Sequence, residues 1–362
     1  MSIHTVESAY HPRDKMGFLI DWLVTLKCNY DCAYCEIGDG GHDNSRPHPS
    51  YDRCVTMLEQ IYQYTDVIMS YKRIPFKDVI VNIYGGESLY HPDILQLLEA
   101  STKIYQQYKD RWRIRRRMTT NATATEKNWK TICEHIEGFT MSYHSTGPYK
   151  LKKLFRDNLL YLKQIDKEHD VIVCMYPTGT HWDDCLDFLR WARSNAIRVR
   201  PKMLDGPLGV YKQKHIEDLE EFLDKEEFKD WNVEQRANTQ SRACCGGRKM
   251  CFNRNLKEYQ VMVPRGPNGF EGWHCAANQF FLHANSVTGQ YFTNKDCRNK
   301  VGGGIGPVAN VHNMSDHIQQ MKERKSMPTL ICAQKICACG TCAPKSKSMD
   351  NLNKILDIYN QS

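Results

Sequence analysis

Short apolar runs alternate with longer stretches of helical periodicity over the first two-thirds of the chain. Strands are predicted at residues 17–26, 78–84, 113–119, 138–143, 171–175 and 197–203. Helices are predicted at residues 51–70, 91–108, 126–135, 149–165 and 181–195. Six βα units indicate an α/β fold with a parallel sheet, either an open six-stranded barrel or a doubly wound sheet. In a barrel, the active site lies at the carboxyl ends of the strands.

The pattern changes after about residue 225, where the βα periodicity fades and glycine, asparagine and cysteine become frequent. A hairpin is predicted at residues 280–292 with Gly289 at its turn, and an amphipathic helix at residues 348–359. We therefore expect four regions: an N-terminal extension (1–15), a β/α barrel (16–229), a small, irregular, cysteine-rich α+β domain (230–345) and a C-terminal helix (346–362).

The composition is typical of globular proteins, with 41% hydrophobic and 25% charged residues in a chain of 362. No apolar run reaches membrane-spanning length, and no secretory signal is visible. The chain contains 16 cysteines, and disulfides are rare in a reducing compartment. These features predict a cytoplasmic metalloprotein with no membrane partner.

Three cysteines follow the first predicted strand, in the run Cys28-Asn-Tyr-Asp-Cys32-Ala-Tyr-Cys35. A 4Fe–4S cluster takes four ligands, so three thiolates leave one iron open. Catalytic metal sites keep such an open position, whereas structural sites are closed. Zinc ligation or ordinary buried thiols are the alternatives for the triplet alone.

A second motif, Gly85-Gly86-Glu87, ends the second predicted strand. The two motifs together resemble the radical S-adenosylmethionine (radical SAM) superfamily, and the aromatic Tyr34 before the last cysteine fits that pattern. The resemblance implies a partial (β/α)6 barrel and a 4Fe–4S cluster whose open iron is chelated by the amino and carboxylate groups of S-adenosylmethionine (SAM). It also implies that Glu87 accepts from the SAM ammonium group, while Gly85 and Gly86 give it room.

The resemblance suggests further cofactor-binding residues at the ends of later strands. Asn121 ends the third strand, in a motif where Ala122 replaces the glycine of the family pattern. Ser142 suits contact with the ribose hydroxyls, and His144 suits contact with substrate or cofactor. Arg200 could pair with the cofactor carboxylate. For each of these residues, an ordinary polar role at a strand end is the alternative.

The cysteine-rich region resembles the auxiliary-cluster domain called SPASM, or its shorter twitch relative, although its spacings depart from that pattern. The resemblance implies one or two auxiliary iron–sulfur clusters, with zinc as the rival occupant. The candidate ligands are Cys244, Cys245, Cys251, Cys275, Cys297, Cys332, Cys337, Cys339 and Cys342.

The run at residues 111–117 contains five arginines and a tryptophan, which invites a nucleic-acid interpretation. Because the run overlaps a predicted strand, its arginines could instead flank that strand or pair with acidic neighbours. The net charge of +7 is weak support for nucleic-acid binding. Three loaded clusters would lower it to roughly +2.

The sequence therefore predicts a radical SAM enzyme that abstracts hydrogen from its substrate. The SPASM resemblance implies a peptide or protein substrate that is oxidised, crosslinked or epimerised, and an electron donor such as flavodoxin or ferredoxin. Radical modification of a nucleotide or nucleic-acid base is one alternative. A non-catalytic multi-cluster electron carrier or zinc-binding module is another. The sequence does not identify the substrate or the bond formed.

Overall fold

Strands and helices alternate along the barrel region as the hydrophobic pattern predicts, with ends within a few residues of expectation. The structure, a computed structural model, describes residues 8–9, 18–35, 42–71, 78–204, 211–220, 271–293, 307–324, 329–332 and 345–361. The elements in chain order are β1 (Phe18–Thr25), α1 (Tyr51–Tyr71), β2 (Asp78–Gly85), α2 (Ile94–Tyr108), β3 (Arg113–Thr120), α3 (Glu126–His135), β4 (Gly138–His144), α4 (Tyr149–Gln164), β5 (Glu168–Met175), α5 (Gly179–Ser194), β6 (Val199–Met203) and α6 (Gln213–Glu220).

Strands β1 to β6 are parallel and neighbour each other in chain order. A doubly wound sheet would reverse its order at a switch point, so this order is that of a β/α barrel. Because every strand runs the same way, the loops that follow β1 to β6 gather at one edge of the sheet. That edge contains the cysteine triplet.

Alternation along the strands separates an apolar face from a polar one. Phe18 and Trp22 of β1 are fully buried in the core that the helices cover. On the opposite, interior face, Asn82 Nδ2 donates to Asp21 Oδ1 at 2.9 Å, and Thr119 Oγ1 donates to Asn82 Oδ1 at 3.0 Å. The first three strands thus present a hydrogen-bonded polar row to the interior of the barrel.

The predicted hairpin is formed by β7 (Phe281–Asn285) and β8 (Gln290–Phe292), and it extends the barrel sheet. Strand β7 lies parallel to β1, and Gly289 makes the turn with φ +70°. Trp22 Nε1 donates to Ser286 Oγ at 2.8 Å. The hairpin therefore covers the outer edge of β1, which would otherwise expose unpaired backbone groups. Although it falls within the predicted second domain, it shares the barrel's sheet and core.

The remaining described elements lie near the chain ends. Two-residue strands form a small sheet in the order Ser8–Ala9, Lys345–Ser346, His274–Cys275 and Leu330–Ile331. A fifth short strand, Ala309–Asn310, pairs with β8 and precedes α7 (Met314–Glu323), and α8 (Met349–Gln361) is the predicted final helix. In the part of the chain that the structure describes, no helix is long and apolar enough to cross a membrane.

Candidate active site

The loop that carries the three cysteines leaves β1 and is fixed to the end of β2. The amides of Gly86 and Glu87 donate to the carbonyl oxygens of Thr25 and Lys27, both at 2.8 Å. A Cβ atom at Gly85 would lie 2.5 Å from the Thr25 oxygen, and one at Gly86 would overlap the Lys27 oxygen. The paired glycines therefore let the first residues of the cysteine loop pack directly on β2.

A closed ring of three side chains ties the same loop to the end of β3. Asn29 Nδ2 donates to Thr123 Oγ1 at 2.7 Å, and Thr123 Oγ1 donates to Asn121 Oδ1 at 2.7 Å. Asn121 Nδ2 closes the ring by donating to Asn29 Oδ1 at 2.8 Å. The side chain of Asn121 is thus engaged with the residue that follows Cys28.

Ala122, which stands where the family pattern has glycine, adopts a left-handed backbone with φ +52°. This conformation costs a residue with a Cβ about 1–2 kcal/mol. Two hydrogen bonds hold it: the Ala122 amide donates to Thr120 Oγ1, and Asn158 Nδ2 donates to the Ala122 carbonyl, both at 2.8 Å. The turn that presents Asn121 is therefore kept despite the missing glycine.

The segment after β4 holds the middle of the cysteine loop. Tyr30 is buried, and its ring lies so close to Gly147 that a Cβ there would be 2.6 Å from it. Thr146 Oγ1 lies 3.0 Å from Cys32 Sγ. The loop is thus anchored to the ends of β2, β3 and β4 through different residues, which fixes the positions of its cysteines.

Tyr34 and His144 form an aromatic wall next to Cys32. Tyr34 Oη lies 3.0 Å from His144 Nδ1, and their rings stack with centroids 5.8 Å apart. The ring of Tyr176 also packs against the ring of Tyr34, with their centroids 5.2 Å apart. Ser142 lies two residues before His144, on the same face of β4.

The carboxylate of Glu87 is buried at the end of β2. Its Oε1 accepts from the Leu89 amide at 2.9 Å and from Thr120 Oγ1 at 2.6 Å, and its Oε2 accepts from the Asn121 amide at 2.6 Å. Burial raises its pKa, and these hydrogen bonds oppose the rise. A carboxylate offers about four acceptor positions, so one is left for a ligand.

Burial and nearby negative charge act on two thiols of the triplet. Burial is the largest cause that raises the pKa of Cys28 to about 12; the charges of Glu87, Cys32 and Cys35 contribute to the rise, and the hydrogen bond from the Tyr30 amide opposes it. Burial also raises the pKa of Cys32, with Cys35 adding to the effect. Thiols in such a place become thiolates when a cation binds them, so the residues fit an iron–sulfur cluster.

Among the described residues, no three His, Cys, Asp or Glu side chains are arranged to hold one metal ion together.

His144, Cys174 and Lys202 share one row across the ends of β4, β5 and β6. Burial, with a smaller contribution from the Lys202 charge, lowers the pKa of His144 to about 4, so the imidazole is neutral at neutral pH. Arg200 lies two residues before Lys202, and its Nε donates to Asp170 Oδ1 at 3.0 Å. The structure does not bring Arg200 to the cysteine loop.

Each arginine of the run at residues 111–117 has an acidic partner within the fold. These contacts place the run in and beside β3 as part of its structure, as the second interpretation of the sequence expected. The pairs are Arg111–Asp66, Arg113–Asp78, Arg115–Glu168, Arg116–Glu137 and Arg117–Glu168.

Two of the candidate auxiliary-cluster ligands are described, and they lie close together. Cys275 and Cys332 are both buried in the small terminal sheet. Cys275 pairs with Leu330, and the Cys332 amide donates to the Trp273 carbonyl at 2.8 Å. Alternation places both cysteines on one face of the sheet. The remaining candidates lie outside the described residues: Cys244, Cys245, Cys251, Cys297, Cys337, Cys339 and Cys342.

Residues 22–225 match the family model of the radical SAM superfamily. The chain belongs to the radical SAM superfamily. Membership implies an enzyme that uses a 4Fe–4S cluster and SAM, and it agrees with the parallel barrel and with the fit of the triplet to a cluster.

Solved radical SAM structures resemble the chain at low identity. SuiB of Streptococcus suis, bound to SAM, is 14% identical, with a TM-score of 0.48 over 86% of this chain and 67% of its own. The protein anSMEcpe with bound AdoMet is 14% identical, with a TM-score of 0.47 over 85% of this chain and 81% of its own. A comparison with curated proteins found no match.

Sequence reasoning did not single out four residues that fix the cysteine loop: Asn29, Tyr30, Thr123 and Thr146. Asn29 and Tyr30 lie inside the triplet motif but carry no metal-ligating group. Thr123 and Thr146 each follow a predicted strand-end residue by two positions. An inspection of the strand-end loops for hydroxyl residues would have included both threonines.

Proposed function

We propose that this protein is a radical SAM enzyme that abstracts hydrogen from a substrate C–H bond. The observation that carries the proposal is the meeting of three thiols, with Cys32 buried and Cys28 and Cys35 partly buried, and the buried Glu87 carboxylate at the carboxyl ends of the barrel strands. When bound, the cluster supplies one electron to the SAM sulfonium, whose C–S bond breaks to give methionine and a 5′-deoxyadenosyl radical. Superfamily membership supports this chemistry.

The residues of the chain would bind and orient the cluster and SAM. Cys28, Cys32 and Cys35 hold the cluster, and Glu87 uses its remaining acceptor position for the SAM ammonium group. Tyr34 and His144 wall the site with stacked rings that exclude water. Ser142 remains our proposal for a ribose contact. His144 remains a proposed contact for substrate or cofactor.

We propose a peptide or protein as the substrate, with oxidation, crosslinking or epimerisation as the outcome. The support is the SPASM-like cysteine pattern and the placement of Cys275 and Cys332 on one face of the small sheet. Both cysteines would belong to one auxiliary iron–sulfur cluster. The external electron donor would be a flavodoxin or ferredoxin.

Anaerobic reconstitution with iron and sulfide, followed by dithionite and SAM, tests the reaction. We expect 5′-deoxyadenosine, measured by mass spectrometry, from the wild type. An iron-loaded protein that forms none would be an electron carrier instead. Iron counts in Cys275→Ser and Cys332→Ser should each fall while the SAM-dependent product persists; unchanged counts would remove both cysteines from a cluster.

A second assay separates the substrate classes. Candidate peptides encoded beside the gene would be incubated with the active enzyme, and a mass loss of two hydrogens or deuterium incorporation would identify oxidation, crosslinking or epimerisation. The nucleic-acid alternative predicts gel shifts with tRNA or single strands that weaken with salt. We expect none, because the arginines of residues 111–117 already have acidic partners.

A further inference from the structure

The sulfur of Cys32 lies against the hydroxyl group of Thr146, with Thr146 Oγ1 3.0 Å from Cys32 Sγ. The sulfur of Cys28 has a different neighbour, the backbone amide of Tyr30 at 3.3 Å. The triplet therefore combines a backbone donor at one cysteine with a side-chain donor at another.

We infer that the Thr146 hydroxyl donates a hydrogen bond to the Cys32 thiolate and thereby raises the reduction potential of the cluster. The inference rests on the proposed function. A protonated Cys32 could donate to Thr146, but an iron-bound sulfur has no proton and can only accept. Cluster binding therefore fixes the direction of the bond, from Thr146 Oγ1 to Cys32 Sγ.

This donor opposes the electrostatics of its surroundings. Cys32 and the Glu87 carboxylate are both buried, and burial and a nearby negative charge hinder the addition of an electron. Hydrogen bonds to cluster sulfurs stabilise the more negative, reduced state and so raise the potential. The Thr146 hydroxyl thus helps to keep the cluster within reach of its electron donor.

A redox titration of the reconstituted protein followed by EPR tests the inference, using the signal that responds to SAM. Thr146→Val keeps the shape but removes the donor, and we expect about a tenfold loss in the reduction equilibrium, a negative shift of about 59 mV for one electron. Thr146→Ser keeps the donor and should titrate like the wild type.

Unchanged titration of Thr146→Val, or an equal shift in Thr146→Ser, would overturn the inference. If the valine variant does not retain iron, Thr146→Ala takes its place with the same expectation. Loss of the cluster from the serine variant as well would also count against hydroxyl donation. Separate 5′-deoxyadenosine assays distinguish this inference from the proposed function. If the wild type forms the product but Thr146→Val leaves the potential unchanged, only the inference fails. If Thr146→Val shifts the potential but the wild type forms no product, only the proposed function fails. A wild type that binds no cluster at the triplet overturns both.

Discussion

The arginine run at residues 111–117 and the cysteine triplet are two dense clusters of chemically active residues, and they differ in the partners that the fold gives them. Every arginine meets a carboxylate of its own protein. The triplet meets thiols, hydroxyls and the Glu87 carboxylate, and burial raises the pKa of Cys28 and Cys32. Each arginine of the first cluster therefore has an acidic partner within the structure. The second cluster needs a bound cation to stabilise its thiolates, and such a need is typical of a binding site.

Removing the triplet should have the largest effect. We expect Cys28→Ala, Cys32→Ala and Cys35→Ala each to abolish 5′-deoxyadenosine formation, because each removes a thiolate ligand of the cluster. Cys133→Ala is the matched control, since Cys133 is a buried cysteine of α3. Mass spectrometry of the product would check the series. Equal activity in a triplet variant and in the control would show that the triplet is not needed for the reaction, and its contrast with the arginine run would then fail.

The arginine run should instead govern stability. Arg116 is 4% exposed and pairs with Glu137, which is 36% exposed. Glu137→Gln leaves a buried guanidinium without its counter-charge, so urea unfolding should show a loss of about 2–3 kcal/mol. Asp66→Asn, which breaks the exposed pair with Arg111, should cost less than about 1 kcal/mol. Similar losses from both variants would show that burial does not make the Arg116–Glu137 pair more important for stability than the Arg111–Asp66 pair.

Glu87→Gln should disturb both the fold and the site. The new amide cannot accept from all three donors that Glu87 satisfies, so we expect a loss of about 1–3 kcal/mol in unfolding free energy. Calorimetry should show SAM binding weakened about tenfold or more, since a charged hydrogen bond is lost. Glu126→Gln, at an exposed glutamate of α3, is the control. Unchanged SAM affinity would remove Glu87 from the cofactor site.

Ala122→Gly should have the smallest effect, and it should be stabilising. Glycine adopts φ +52° without strain, so the unfolding free energy should rise by about 1 kcal/mol. Ala196→Gly relieves the same strain at φ +51° after α5, away from the cysteine loop, and should give a similar gain. A loss of stability at Ala122 alone would mean that its methyl group packs in a way that outweighs backbone strain.

The fold was largely predictable because hydrophobic periodicity records which face each strand and helix buries. The barrel strands and their helices follow it closely, and so does the hairpin turn at Gly289. The pairing of that hairpin with β1 was not predictable, because periodicity does not record which edge a distant strand joins. The acidic partners of Arg116 and Arg117, 21 and 51 residues away, were hidden for the same reason.

The site was predictable where chemistry sits in a local motif. The cysteine triplet and Gly85-Gly86-Glu87 are contiguous in sequence, whereas the ring of Asn29, Asn121 and Thr123 joins residues about 90 positions apart. Contact between Thr146 and Cys32 likewise depends on how β4 lies beside β1 in the barrel. Arg200 was chosen by residue type, but its strand position brings it to Asp170 instead.

The EPR spectrum of the dithionite-reduced protein, recorded before and after addition of SAM, tests most directly whether the triplet holds a cluster with an open iron. We predict that SAM changes the signal, because it ligates the open iron, and that the responsive signal is missing from Cys32→Ala. A signal that ignores SAM, or a SAM response that persists in Cys32→Ala, would contradict the account.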